Sequence, residues 1–122
     1  MQIYKYDLVL VDLNPTIGSE QQGLRPCLVL QNNLPNQVSH TFLVAPLTSS
    51  IKPYLYRVTI QPSPENGLRA VSSAHLLQIR VVDHQRIRQK IGSLDYSYRF
   101  QVTKALEYAF DLHDLISPQD QL

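Results

Sequence analysis

The densest set of groups able to do chemistry lies in one run, Pro15-Thr16-Ile17-Gly18-Ser19-Glu20-Gln21-Gln22-Gly23-Leu24-Arg25-Pro26. Arg25 is permanently charged, and its planar fork of donors suits a phosphate. Pro26 restrains the residue before it to extended backbone, which aims the Arg25 side chain consistently. Gly18 and Gly23 open backbone conformations closed to other residues and let N–H groups approach an anion. Glu20, Gln21 and Gln22 offer hydrogen bonds to base edges or hydroxyls. The run holds no obvious nucleophile, so its chemistry is that of gripping something polar and phosphorylated. The residues alone equally allow a polar hairpin loop that carries a surface arginine.

Other chemistries find little support. The histidines are His40, His75, His84 and His113, and no two have metal-ligand spacing. Asp7, Asp12 and Asp83 are scattered, without a D-x-D cluster for Mg²⁺. Phosphate-loop, nucleophile-elbow and zinc-protease motifs are all missing. Cys27 is the single cysteine, so an internal disulfide is impossible. It lies within Cys27-Leu28-Val29-Leu30, the setting of a buried, inert thiol. His113 falls on an apolar helical stripe and reads as a structural residue. No cofactor and no metal is implied.

Charge is uneven. Net charge is +1, but residues 19–94 carry eight basic side chains against three acidic, and residues 95–122 carry two basic against five acidic. A basic body with an acidic end permits a polyanionic partner, although ordinary solvated charge would look the same. The N-terminus is too polar for a signal peptide, and the apolar runs are far shorter than a membrane span. The expectation is a soluble, cytoplasmic protein with no membrane contact. Its 122 residues suit one domain spanning 1–122.

The elements that must position the loop are short strands. Leu8 to Leu13 and Pro26 to Gln31 are nearly continuous aliphatic runs, typical of strands buried on both faces. Thr41 to Pro46 is a third. Tyr54, Tyr56, Val58 and Ile60 alternate with Leu55, Arg57 and Thr59, the period of a half-buried strand. Gln61 to Gly67 reads as a turn, and Leu68 to Val71 and Arg86 to Leu94 as further strands. The stretch from His75 to Asp83 is ambiguous between a short helix and an extended segment. The period then changes: Tyr98, Val102, Leu106, Ala109, His113 and Ile116 fall at helical steps, with Ala105, Phe110 and Leu112 widening the stripe. This predicts an amphipathic helix from about Tyr96 to about Ile116, with Asp95 as N-cap and Pro118 as stop. Strands followed by a terminal helix argue for an α+β, mainly β fold or a small barrel carrying a helix.

The run D-L-x-P-T-x-G-S-E-Q-x-G-x-R-P-x-L-V-L-Q-N from Asp12 to Asn32 resembles the signature of the MazF/PemK (Kid) family of toxin endoribonucleases. Val44-Ala45-Pro46-Leu47-Thr48-Ser49 resembles the family's third strand, and Leu76 to Asp83 its L-x-Q-I-R-T-I-D segment. The ending, Arg88 to Leu94 followed by a helix, is similar too. The resemblance implies a small SH3-like barrel of the MazF/CcdB-like type with a C-terminal helix. It implies a homodimer that cleaves single-stranded mRNA without a metal, leaving a 2′,3′-cyclic phosphate and a 5′-hydroxyl. Arg25 and Thr48 match the catalytic arginine and threonine. Ser19, Glu20 and Gln21 match the RNA-facing loop, and Gln78 a position that reads a base edge, with Arg80 beside it in the RNA-binding set. The expected partners are RNA and a cognate MazE-like antitoxin with an acidic tail, operator DNA being contacted only through the antitoxin.

The chemistry fits these residues, because the substrate's own 2′-hydroxyl is the nucleophile. The protein must stabilise a doubly charged phosphorane and manage two protons. Arg25 suits charge stabilisation better than proton donation. Tyr54 or Tyr56 offers a stacking surface for a base. Three departures stand out. Some Kid-like members carry a carboxylate just before the Gln78 position and an arginine two residues earlier, where this chain has Leu77 and His75. Val81 replaces a usual threonine, and Tyr6 a usual glycine. Two rival readings follow: a CcdB-like gyrase poison on the same general fold, and a degenerate member that binds RNA or antitoxin without cutting.

Overall fold

A computed structural model describes residues 1–112 of the chain. Among the described residues, seven strands form one antiparallel sheet: β1 (Asp7–Asp12), β2 (Leu24–Val29), β3 (Thr41–Thr48), β4 (Arg57–Ile60), β5 (Ser72–His75), β6 (Arg80–Asp83) and β7 (Ile87–Ser93). Their order is β4-β5-β3-β2-β1-β7, with β6 also paired to β3. Strand β3 is the hub. One edge pairs with β2, while the other pairs first with β6, Thr41↔Asp83 to Val44↔Arg80, and then with β5, Leu47↔Ala74 and Thr48↔Ser73. Two irregularities in the β1·β7 register, at Leu8/Val9 and Leu10/Val11, bend that edge and strengthen its twist.

The aliphatic runs are buried on both faces, as their lack of alternation requires. One face gathers Val9, Val11, Cys27, Val29, Phe42, Val44 and Val82 with Ile3, Leu13 and Ile87. The other gathers Leu8, Leu28, Ala45 and Leu47 with Val58, Ile60, Ala74, Leu76 and Leu94. Helix α1 (Asn33–Asn36) is a single turn after β2. Helix α2 (Arg99–Phe110) closes the second face with buried Val102 and Ala105. Burying a Val or Leu side chain is worth about 1.5–3 kcal/mol, so the two clusters hold the sheet.

Several expectations need correction. Only Arg57 to Ile60 of the tyrosine-containing run is strand, because β5, its partner, is four residues long; Tyr54 and Tyr56 precede it, with Tyr54 exposed. Leu68 to Val71 is not a strand: Leu68 anchors in the core, Arg69 to Val71 are exposed, and pairing starts at Ser72. The ambiguous stretch from His75 to Asp83 is the end of β5, a turn and β6, with no helix. Asp95 makes no side-chain cap bond; its Oδ1 accepts from Asn66 Nδ2 at 2.8 Å, and a 3₁₀ turn (Tyr96–Tyr98) precedes α2. Phe110 and Leu112 are exposed and do not widen the buried stripe. The expected helix end at Ile116 and the assignment of His113 lie outside the described residues.

Candidate functional site

The loop between β1 and β2 is closed at its neck. Leu13 N–H donates to Gly23 O at 2.9 Å, and Gly23 N–H donates to Asn14 Oδ1 at 3.1 Å. Gly23 holds φ +83°, a left-handed conformation that side chains rarely adopt. Arg86 from the turn before β7 donates to the carbonyls of Asp12 and Asn14, clamping the neck from outside. The Asp12 carboxyl is held below its usual range, first by the Asn14 N–H and then by Arg88, whose guanidinium is 3.4 Å away. Glu20 is turned onto its own loop: its Oε1 accepts from Ile17 N–H at 2.9 Å. Ser19 stands exposed at the tip.

Arg25 follows the neck on β2. Its Nε donates to Gln22 O at 2.7 Å, which fixes the guanidinium and leaves the terminal nitrogens for a ligand. Strands β2 and β3 pair with Cys27 opposite Pro46. Continued two residues toward the loop, that register sets Arg25 across from Thr48, and residues directly opposite share a sheet face. Thr48 is 8 % exposed, and its Oγ1 accepts from Ser50 N–H at 3.2 Å. That bond fixes the oxygen while the hydroxyl proton remains available to donate.

Beside this pair lies a groove of about 280 Å³ lined by Glu20, Gln21, Pro46, Leu77, Gln78 and Arg80, among others. Gln78 Oε1 accepts from Gln21 N–H at 3.3 Å, tying the loop to the β5–β6 turn. Arg80 Nη1 donates to Leu13 O at 3.1 Å. Of the residues expected from sequence, Arg25 and Thr48 thus meet by register, and Glu20, Gln21, Gln78 and Arg80 share the groove; Ser19 does not line it. Between the two arginines sits Cys27, whose thiol burial pushes up to about 12, against the opposing pull of Arg80 and Arg25.

Sequence reasoning missed Arg57 and Ser73. Ser73 is buried opposite Thr48, and Arg57 Nη1 donates to Ser50 O at 2.9 Å and to Ser73 Oγ at 3.4 Å. Arg57 shares this face, and its Nη1 reaches the Arg25–Thr48–Ser73 row. It pairs in turn with His75 on β5, whose ring stacks on Tyr56, which stacks on Tyr54. Nothing in the local sequence marks Arg57, since its partners come from β3 and β5.

The model of the family described as PemK-like, MazF-like toxin of type II toxin-antitoxin system matches residues 4–110. The chain belongs to this family. The toxin is 36% identical over 115 residues to Endoribonuclease EndoA of Bacillus subtilis, covering 93% of this chain and 99% of that one. It is 33% identical over 113 residues to Endoribonuclease MazF of Staphylococcus epidermidis, covering 92% and 94%. A crystal structure of MazF from Deinococcus radiodurans superposes with a TM-score of 0.75 at 26% identity, over 91% of this chain and 98% of that one. An endoribonuclease from a mycobacterial species, solved with its cognate antitoxin, shares the fold at a TM-score of 0.76 and 17% identity, over 95% and 99%. The fold is the MazF/CcdB-like one, a mainly β sheet with a C-terminal helix. The toxin is an endoribonuclease of a type II toxin–antitoxin system, and the gyrase-poison alternative is not favoured. Among the described residues no helix is long and apolar enough to cross a membrane.

Proposed function

We propose that the toxin, acting as one catalytic domain over residues 1–122, cuts single-stranded mRNA at selected sequences by attack of the 2′-hydroxyl on the adjacent phosphodiester. The products are a 2′,3′-cyclic phosphate and a 5′-hydroxyl. The observation that carries the reading is Arg25 across from Thr48, with the Arg25 guanidinium anchored through Nε alone. Arg25 neutralises charge developing on the phosphorane, and the Thr48 hydroxyl orients a phosphate oxygen. The substrate supplies the nucleophile, so the scheme needs no metal. Gln21 and Gln78 hold splayed bases in the groove, Arg80 and Glu20 line it, and Ser19 meets RNA from the loop tip. The setting is the cytoplasm, where the mRNA is. A homodimer is the working unit, and a MazE-like antitoxin with an acidic tail covers the groove and the Arg25 beside it, operator DNA being reached only through that antitoxin.

The test is to incubate the purified toxin with a long single-stranded RNA in EDTA and map the ends by primer extension. Discrete cuts with 5′-hydroxyl ends are expected. Arg25→Ala and Thr48→Ala should each slow cleavage by about 10²–10³-fold, the usual loss of a charge-stabilising donor. A parent that binds RNA without cutting would establish the degenerate reading instead, for which Leu77, His75 and Val81 are the motivation.

A further inference from the structure

Cleavage by the 2′-hydroxyl needs a group to take its proton, and neither Arg25 nor Thr48 suits that task. A guanidinium does not give up its own proton near neutrality, and a threonine hydroxyl is a far weaker base than an imidazole or carboxylate. Glu20 turns its Oε1 back onto Ile17 N–H within its own loop, and Leu77 is apolar. Among the described residues, one imidazole on the Arg25–Thr48 face remains unused. His75 lies on β5 two residues after Ser73, the residue paired with Thr48. Alternation along β5 therefore puts His75 on the Thr48 side of the sheet.

The surroundings of His75 are built rather than incidental. Its ring stacks on Tyr56 at 5.7 Å between centroids, and Tyr56 stacks on Tyr54 at 5.2 Å, so a ladder of aromatic rings fixes the imidazole plane. Nδ1 is buried and without a hydrogen-bond partner, so Nε2 is the nitrogen assigned to the 2′-hydroxyl. Arg57, paired with His75 across β4, is tied through Nη1 to Ser50 O and Ser73 Oγ. Its charge is thereby held beside Ser73, the residue paired with Thr48. We propose that His75 is the general base of the cleavage reaction, a proposal that rests on the reading of this site as a ribonuclease.

In the reaction the O2′–P bond forms as the P–O5′ bond breaks. The 2′-hydroxyl proton passes to His75 Nε2, the 5′-oxygen leaves as a hydroxyl by taking a proton from solvent water, and the imidazolium then returns its proton to water. Arg57 favours the neutral ring that this requires. Partial burial, and then the Arg57 charge, hold His75 below the ordinary histidine value of 6.5. The charged and titratable groups around the ring are Arg57 from β4, Tyr56 and Tyr54 from the segment before it, and Arg25 from β2 across β3. Thr48 and Ser73 between them are uncharged.

The experiment is single-turnover cleavage of one RNA across pH by the full-length parent, His75→Ala and His75→Phe. For the parent, the rate should fall on an acid limb whose midpoint lies below the ordinary histidine value, as the ring protonates. His75→Ala should lose about 10²-fold or more, the usual contribution of a positioned base, and lose that acid limb. Added imidazole should restore part of its rate. His75→Phe keeps a ring for Tyr56 to stack on and should be as slow as the alanine variant. A parent without the acid limb overturns the proposal, and this outcome needs no variant to fold. A phenylalanine variant at parental rate also overturns it, because the ring would then serve only as a stack. A parent that cuts nothing removes the ribonuclease reading, and this proposal with it.

Discussion

Asn66 is fully buried in the Gln61–Gly67 turn, and its amide makes every bond the side chain can offer there. Oδ1 accepts from Ser63 N–H and Leu68 N–H at 3.0 Å each, while Nδ2 donates to Gln61 O at 2.9 Å and to Asp95 Oδ1 at 2.8 Å. The substitution Asn66→Ala would strand those four groups. The Leu68 N–H bond is fully buried, so its loss carries the whole penalty of an unpaired buried donor, about 1–3 kcal/mol. The other three are partly reached by water and should cost about 0.5–1 kcal/mol each. The sum is about 2.5–6 kcal/mol, or a Tm lowered by about 10–25 °C for a chain of this length. Urea denaturation at fixed protein concentration would measure it, since assembly changes apparent stability. Asn66→Asp sharpens the test. It keeps the acceptor for Ser63 and Leu68 but loses both donations and sets a second carboxylate beside Asp95. Two carboxylates in contact raise one pKa, so the aspartate variant should regain stability as pH falls and the shared site takes up a proton. An alanine variant within about 1 kcal/mol of the parent would refute the view of Asn66 as the bond that holds this turn.

Two further outcomes follow from packing and burial. An added Cβ at Gly92 would sit 2.5 Å from Glu65 O and 2.7 Å from the Asn66 carbonyl carbon and oxygen, all of them backbone. Gly92→Ala should therefore destabilise the fold by about 1–3 kcal/mol, readable as a lower urea midpoint, and an unchanged midpoint would contradict the contact. Cys27 is fully buried with its thiol pushed up to about 12, so at pH 8 only about one molecule in ten thousand carries the reactive thiolate. Iodoacetamide should leave the native protein unmodified by mass and label it once in denaturant; native labelling at the denatured rate would show the thiol is open.

The sequence made the central strands legible because burial on both faces leaves an unmistakable aliphatic run: β1, β2 and β3 fall within a few residues of where the runs place them. Helix α2 was legible for the same kind of reason, through the spacing of Val102, Ala105 and Leu106. The tyrosine run misled because alternation reports only that every second residue is apolar. Tyr54 and Tyr56 are spaced like strand residues, yet β5 offers partners only from Arg57 onward, and the two rings stack on His75 instead. Likewise the residues Gln61 to Gly67 announce a turn, but not that the Asn66 amide is buried in it, since Asp95 and Leu68 complete the bonding from outside. Arg25 was legible through its setting between Gly23 and Pro26. Arg57 and Ser73 were not, since their relation to Thr48 exists only once β3, β4 and β5 have paired.

The neck of the β1–β2 loop separates two kinds of change that selection can act on. Leu13–Gly23, Asn14 and the Arg86 clamp close the loop below its tip, and the ties beyond them run through backbone groups, the N–H of Gln21 to Gln78 and the carbonyl of Gln22 to Arg25. Lengthening such a closed loop is cheap, about 0.6 kcal/mol for each doubling. Side chains at the tip can thus change while Arg25 and Thr48 stay in register on strands that those changes do not touch. On the proposed reading, one scaffold can in this way keep its cutting pair while the surface it offers to RNA varies.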